Sequence, residues 1–212
     1  MQEMTADLAE VLGVLLGDGC VGRYISKRRY NYQVAFTASP SEFWYYEELV
    51  KPTIESTFGV EGRLFIRNDG TTRYHIYGRK LAYYLIEIGI TVGKKRDASI
   101  PRIVYENGLV IPFIRGIYHA EGSIYRRYSR PYNRQIKTYD NLLSLQIRMK
   151  LGTLMRQVHD ELVKLGIVVN RLTAKDGVFT LRITTQLMIR KFFEIIQPRY
   201  KTTPHEQFFN PP

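Results

Sequence analysis

Two stretches of the sequence end an apolar, helix-length run with a carboxylate and a glycine: VLGVLLGDGC at residues 11–20 and IRGIYHAEGS at residues 114–123. Aligned without gaps they place Gly13 on Gly116, Gly17 on Ala120, Asp18 on Glu121 and Gly19 on Gly122, an offset of 103 residues. A carboxylate in the last helical turn faces the negative end of the helix dipole, where Lys or Arg would be stabilising. The glycine after it suits a left-handed C-terminal cap. Asp18 and Glu121 thus break the same local rule at matching positions, which points to function. If the paired helices bring the two acids together, their charges repel unless a cation or a shared proton intervenes. Facing carboxylates suit Mg²⁺, which takes oxygen ligands and substrate phosphates, so the chemistry indicated is phosphodiester hydrolysis.

Other chemistry has less support. His75, His119, His159 and His205 show no paired metal-binding spacing, and the chain has no GxSxG or phosphate-loop pattern. His119 reads as a helix-packing residue rather than a general base. The single cysteine, Cys20, excludes an internal disulfide framework and a cysteine zinc cluster, and is expected to pack as a small residue at a helix end. Lys94-Lys95-Arg96 reads as a basic linker rather than a localisation signal.

The elements that must carry the two acids come in duplicate. Residues 6–17 read as a helix, 21–38 as strands with Val34, Phe36 and Ala38 on one face, and 41–58 as a helix that Ser39 or Ser41 caps and Gly59 stops. A hairpin turning at Asn68-Asp69-Gly70 follows, then the helix RKLAYYLIEIG. The second half repeats the order: helix 111–121, strands to Lys150, helix 151–165, a hairpin at Asp176-Gly177, and the helix TTQLMIRKFFEII. In LSLQIRMK, Leu143, Leu145, Ile147 and Met149 share one face. The expected domains are residues 1–95 and 111–212, joined by a charged linker at 96–110. Gly13 and Gly17 lie on one helix face, as do Gly116 and Ala120, so the two helices can approach closely and pack on each other.

Composition indicates the partner. Lys and Arg number 31 against 20 Asp and Glu, a net charge of +11, which favours a polyanion. No apolar run reaches the roughly 20 residues of a membrane span, and the opening MQEMTADLAE lacks the basic flank of a signal peptide. Cytoplasm or nucleoid is the expected location, or an organelle if the gene is organellar. The predicted strands interleave Arg and Lys with Tyr, suited to phosphate and base-edge contacts. The polar-face candidates are Tyr24, Ser26, Arg28, Tyr30, Gln33, Thr37, Arg63, Arg67, Arg73, His75 and Tyr77 in the first half. In the second they are Arg127, Gln146, Arg148, Arg171, Lys175, Arg182 and Thr184.

VLGVLLGDG and IRGIYHAEG resemble the two copies of the signature helix of the LAGLIDADG homing endonucleases, and the repeat covers essentially the whole chain. The chain is similar to the single-chain, two-repeat members. The resemblance implies an α+β fold of two pseudo-symmetric αββαββα repeats, each with a four-stranded antiparallel sheet, packed through the signature helices. It implies a monomer that binds double-stranded DNA in the major groove and cleaves both strands at a long asymmetric target, leaving 3′ overhangs. It implies Mg²⁺ or another divalent cation such as Mn²⁺, bound by Asp18 and Glu121 with the Gly17 and Ala120 carbonyls as further ligands. The family's Gln-Lys-like pair after the second strand aligns with Met149-Lys150, which makes Lys150 a candidate active-site cation. In the first half that place falls on Ala38-Ser39, a departure that leaves one pocket incomplete. An intron-RNA maturase or a non-cleaving DNA-binding protein on the same fold is the alternative, and a membrane-surface binder is a distant third.

Overall fold

The computed structural model describes the backbone of residues 3–95, 97–128 and 138–201, with side chains throughout except at 126–128 and 138–142. Thr5 opens α1 (Ala6–Asp18), its hydroxyl accepting the Leu8 N–H at 3.2 Å and so satisfying one orphan donor of the first turn. Every residue from Leu8 to Leu16 is buried, so this helix is enclosed all round rather than along one stripe.

The helix passes directly into β1 (Gly19–Ser26), and Gly19 is extended at φ −103°, not left-handed as its sequence context suggested. A Cβ there would run into the Leu15 side chain, so it is close approach and not backbone conformation that requires glycine. In the second motif Gly122 likewise opens a strand. β1 turns through Lys27 and Arg28, at φ 49° and 60°, into β2 (Arg29–Ala38). Two left-handed residues are what a two-residue hairpin of this twist requires. Val34, Phe36 and Ala38 are buried, as their alternation indicated.

Ser39 and Glu42 form a capping box at the head of a composite helix: a 3₁₀ turn (Pro40–Glu42), α2 (Phe43–Tyr45), a π turn (Tyr46–Val50) and α3 (Lys51–Phe58). Pro52 has no N–H for the Glu48 carbonyl and its ring crowds that oxygen; the widened π turn just before it accommodates both effects. Gly59, at φ 61°, ends the helix as expected. The hairpin of β3 (Gly62–Ile66) and β4 (Thr72–Tyr77) and the helix α4 (Arg79–Glu87) complete the first repeat, whose antiparallel sheet has the order β1-β2-β4-β3.

The segment read from sequence as a linker is built into the fold. Val92 bridges alongside Val21 of β1, and α5 (Arg102–Glu106) buries Val104 while Ala98 and Ile100 are buried ahead of it. Its charge suggested a tether, but these apolar residues anchor it. Next comes α6 (Val110–Glu121).

The second repeat comprises β5 (Gly122–Tyr128), β6 (Thr138–Met149), α7 (Gly152–Lys164), β7 (Thr173–Lys175), β8 (Val178–Ile183) and α8 (Gln186–Ile196). Its sheet has the matching order β5-β6-β8-β7, and Leu143, Leu145, Ile147 and Met149 are buried on one face of β6. The chain divides into two compact units, Met1–Ala120 and Glu121–Pro212, so α6 packs within the first and its last residue begins the second. No helix among the described residues is long and apolar enough to cross a membrane.

Candidate active site and nucleic-acid interface

Gly13 and Gly116 mark the crossing of α1 and α6. A Cβ on Gly13 would strike the Phe113 carbonyl oxygen and lie 2.9 Å from Ile117 N; one on Gly116 would strike the Glu10 carbonyl oxygen and lie 2.9 Å from Val14 N. Backbone meets backbone here, so only glycine fits. Gly17 and Ala120, one turn further along, are half-buried. Asp18 and Glu121 are the last residues of α1 and α6, both half-buried.

The C-terminal end of α1 gathers positive charge from elsewhere in the chain. Lys95 Nζ donates to the carbonyl oxygens of Leu15 (3.2 Å), Leu16 (2.6 Å), Gly17 (2.9 Å) and Gly19 (2.8 Å). This ammonium does the work that a left-handed cap or a last-turn Lys would do, and α1 has no basic residue in its last turn. Lys95 was legible as a basic residue, but only the chain's return beside β1 brings it to the helix end. Tyr46, on the π turn, is a further neighbour that sequence reasoning missed. Burial, then the charges of Asp18 and Glu42, push its hydroxyl well above the usual phenol range, so it stays neutral.

Among the described residues no three His, Cys, Asp or Glu side chains converge as a metal-binding group. Each helix end instead offers one carboxylate with backbone oxygens, the sparse hard-donor set that Mg²⁺ completes with water and phosphate. The Lys95 ammonium on four carbonyls marks the end of α1 as a place of negative potential, and Asp18 adds a hard oxygen donor of the kind such an ion takes. At the first-repeat place aligned with Met149-Lys150, Ser39 is occupied in capping the composite helix and Ala38 is buried. Lys150, just beyond β6, is exposed.

Pairing register sorts the sheet candidates. In the first sheet Gln33 lies opposite Gly22 and Tyr77, Ala35 opposite Cys20 and His75, and Thr37 opposite Arg73, while Arg63 lies opposite His75. Tyr24, Ser26, Gln33, Thr37, Arg63, Arg73, His75 and Tyr77 therefore share the face away from buried Val34 and Phe36. Side chains cross-link on it: Arg73 Nη1 donates to Thr37 Oγ1, Gln33 Nε2 to the Tyr77 hydroxyl at 3.4 Å, and the Phe65 ring stands edge-on to His75. Burial, then the charges of Arg73 and Arg67, depress the His75 imidazole below the ordinary histidine range.

Arg28 sits in the hairpin turn and Arg67 just past β3, beside Asp69 at 3.7 Å. Tyr30 is a correction. It counts in step with Val34 and Phe36 and lies opposite Ile25, which puts it on the other face, under the Arg23 guanidinium at 4.7 Å. It is exposed because the hairpin tip extends beyond the core. Cys20 is a second correction: it is exposed on the open face opposite Ala35, because β1 begins at Gly19 and turns it outward.

In the second sheet Gln146 lies opposite Ser123 and Arg182, and Arg148 opposite Thr180. Lys175 ends β7, Arg171 precedes it in the same phase, and Thr184 follows β8 with its hydroxyl 3.2 Å from Asn170 Oδ1. The Arg127 side chain lies outside the described residues, as does much of the basic stretch 126–137. Tyr125, whose hydroxyl donates to Gln146 Oε1 at 3.4 Å, joins this face. It was missed, although the alternation that selects Gln146 on β6 selects its neighbours on β5 as well.

No family model and no curated protein matches the sequence. Among solved structures the chain is similar to I-DmoI in complex with DNA and Mn, at 21% identity over 92% of this chain and 98% of that one, with a TM-score of 0.63. It is similar to the LAGLIDADG meganuclease I-AabMI bound to uncleaved DNA, at 15% identity, 95% and 89% coverage and a TM-score of 0.63. A third, I-SmaMI bound to uncleaved target DNA with calcium ions, gives 10% identity, 94% and 87% coverage and a TM-score of 0.63. The fold is that of the two-repeat LAGLIDADG proteins.

Proposed function

We propose that this chain is a site-specific DNA endonuclease that hydrolyses one phosphodiester in each strand with the help of divalent cations at Asp18 and Glu121. The observation that carries this reading is the pair of acid-ended helices crossing at Gly13 and Gly116, on a fold whose solved relatives hold DNA and Mn or calcium. Each of the two repeats presents one half of the DNA-reading surface. Because the two faces carry different side chains, the target is long and asymmetric.

Asp18 and Glu121, with the Gly17 and Ala120 carbonyls, supply hard oxygen donors for Mg²⁺ or Mn²⁺. When bound, such an ion lowers the charge on the phosphate and the pKa of the attacking water. Lys95 holds the end of α1 in place and adds positive charge beside Asp18. Lys150 supplies a cation to the second repeat, and the two pockets are therefore unequal. The sheet residues hold the duplex in register, with Arg73, Arg148 and Arg182 offering forked donors to guanine or phosphate. The product is a staggered break with 3′ overhangs, and the chain acts as a monomer.

A randomised duplex library incubated with the protein and Mg²⁺ tests this. Cleavage at one recovered sequence is expected, with Asp18→Asn and Glu121→Gln each lowering the rate at least about 10²-fold while binding in Ca²⁺ persists. Tight binding by the wild type without cleavage in Mg²⁺ or Mn²⁺ would reduce the chain to a DNA-binding protein.

A further inference from the structure

The crossing of α1 and α6 encloses a charged cluster that close packing does not require. Glu10 Oε1 accepts from the Tyr45 hydroxyl at 2.8 Å and Oε2 from Arg115 Nη1 at 3.1 Å, while His119 Nε2 lies 3.6 Å from Oε1. Glu10, Tyr45 and His119 are fully buried, the Arg115 side chain is 15% exposed, and the Tyr45 ring tilts over His119 with centroids 4.8 Å apart. The repeat does not explain the cluster: the 103-residue offset aligns Glu10 with Phe113, Leu12 with Arg115 and Leu16 with His119. The acid is on one helix and both bases are on the other.

Glycines alone leave the helix pairing ambiguous. Gly13 and Gly17 on α1 offer Gly116 of α6 two crossings displaced by one turn, about 5.4 Å. The second crossing would pull Glu10 away from Arg115 and leave a buried carboxylate without its partner, which is strongly disfavoured. We propose that Glu10, Arg115, His119 and Tyr45 form a register lock. They select the Gly13–Gly116 crossing over its one-turn slip, and so set where Asp18 and Glu121, each five residues beyond its crossing glycine, end their helices. The effect on cleavage rests on the endonuclease reading; the effect on register does not.

Two variants separate a lock from a purely stabilising cluster. Arg115→Met removes the guanidinium that faces the buried Glu10, and Glu10→Gln with Arg115→Met removes both charges of that pair and relieves that burial penalty. The double variant is expected to regain folding stability yet cleave pre-bound DNA about 10²-fold more slowly in single turnover, because small misplacements of reacting groups cost about that much. Its Kd for DNA in Ca²⁺ should stay within about 3-fold. Full recovery of the cleavage rate along with stability would overturn the lock.

A spin-label pair at Ala6→Cys and Val110→Cys, in a Cys20→Ser background, reads register without cleavage. One sharp distance is expected in the parent and a second population shifted by about 5 Å in the double variant; an unchanged single distance also overturns the proposal. If the parent leaves DNA uncut while the distances shift, the endonuclease reading fails and the lock stands. Should the double variant not fold, Tyr45→Phe, which removes one hydrogen bond and no charge, takes both measurements in milder form, with the same outcomes deciding.

Discussion

At the scale of single residues, the informative side chains are those whose surroundings contradict their usual preferences. Lys95 donates to four backbone carbonyls at the end of α1. Lys95→Met should lower stability by about 2 kcal/mol, the usual size of a lost charged hydrogen bond, as a drop in the urea midpoint at unchanged m-value. DNA cleavage should fall by more than DNA affinity.

His75 has its pKa depressed by burial first and by Arg73 and Arg67 second. Its folded value is below the unfolded value of about 6.5. The folded state therefore binds fewer protons, and this contribution to stability, complete above about pH 6.5, is lost as pH falls from there through the folded pKa. An NMR titration should place the His75 midpoint below that of an unfolded peptide, and bound DNA phosphates should move it up. A midpoint at or above the peptide value in the free protein would contradict the geometry. His119 was expected to be a packing residue, and it is packed, against Tyr45 and beside the Glu10 carboxylate.

At the scale of elements, the α1–α6 crossing is the tightest constraint. Gly116→Ala would drive a methyl into the Glu10 carbonyl, so a loss of about 3 kcal/mol or failure to fold is expected in denaturant melts. Gly17→Ala should remain within about 1 kcal/mol of wild type, because the matching helix already carries Ala120 and alanine favours helix. Helix extents, both predicted hairpin turns and the alternation in β2 and β6 were legible because period and turn residues are local properties. Tyr30 was misplaced although its own parity with Val34 and Phe36 put it on the packed side, its exposure coming from the overhanging hairpin. The left-handed cap expected at Gly19 gives way to a direct helix-to-strand passage, since a lysine 76 residues away satisfies the carbonyls.

At the scale of the whole molecule, a chain of net charge +11 folds into two sheets of identical strand order. Lys27 and Arg28 are unusual in being held left-handed at the tip of the first hairpin, where non-glycine residues pay about 1 kcal/mol each. Replacing them together, Lys27→Asn and Arg28→Gly, should raise stability by about 1–2 kcal/mol, because these are the residues such turns prefer. The same change should weaken DNA binding and make the slope of log K against log salt shallower by about 1.8, the counterion release of two phosphate contacts. An unchanged slope would remove this tip from the DNA interface.

The sequence by itself determined the duplication, the order of elements in each repeat, the two acid-ended helices and the basic, tyrosine-rich strands, because each is written in local spacing or in a repeat offset. Tertiary structure alone decided that Gly13 meets Gly116, that Glu10 is buried against Arg115 and His119, and that Lys95 closes the end of α1. Those contacts join residues 76 to 109 positions apart. Which partner such a residue finds depends on how the whole chain packs, and that information is spread over the core rather than held in any one stretch.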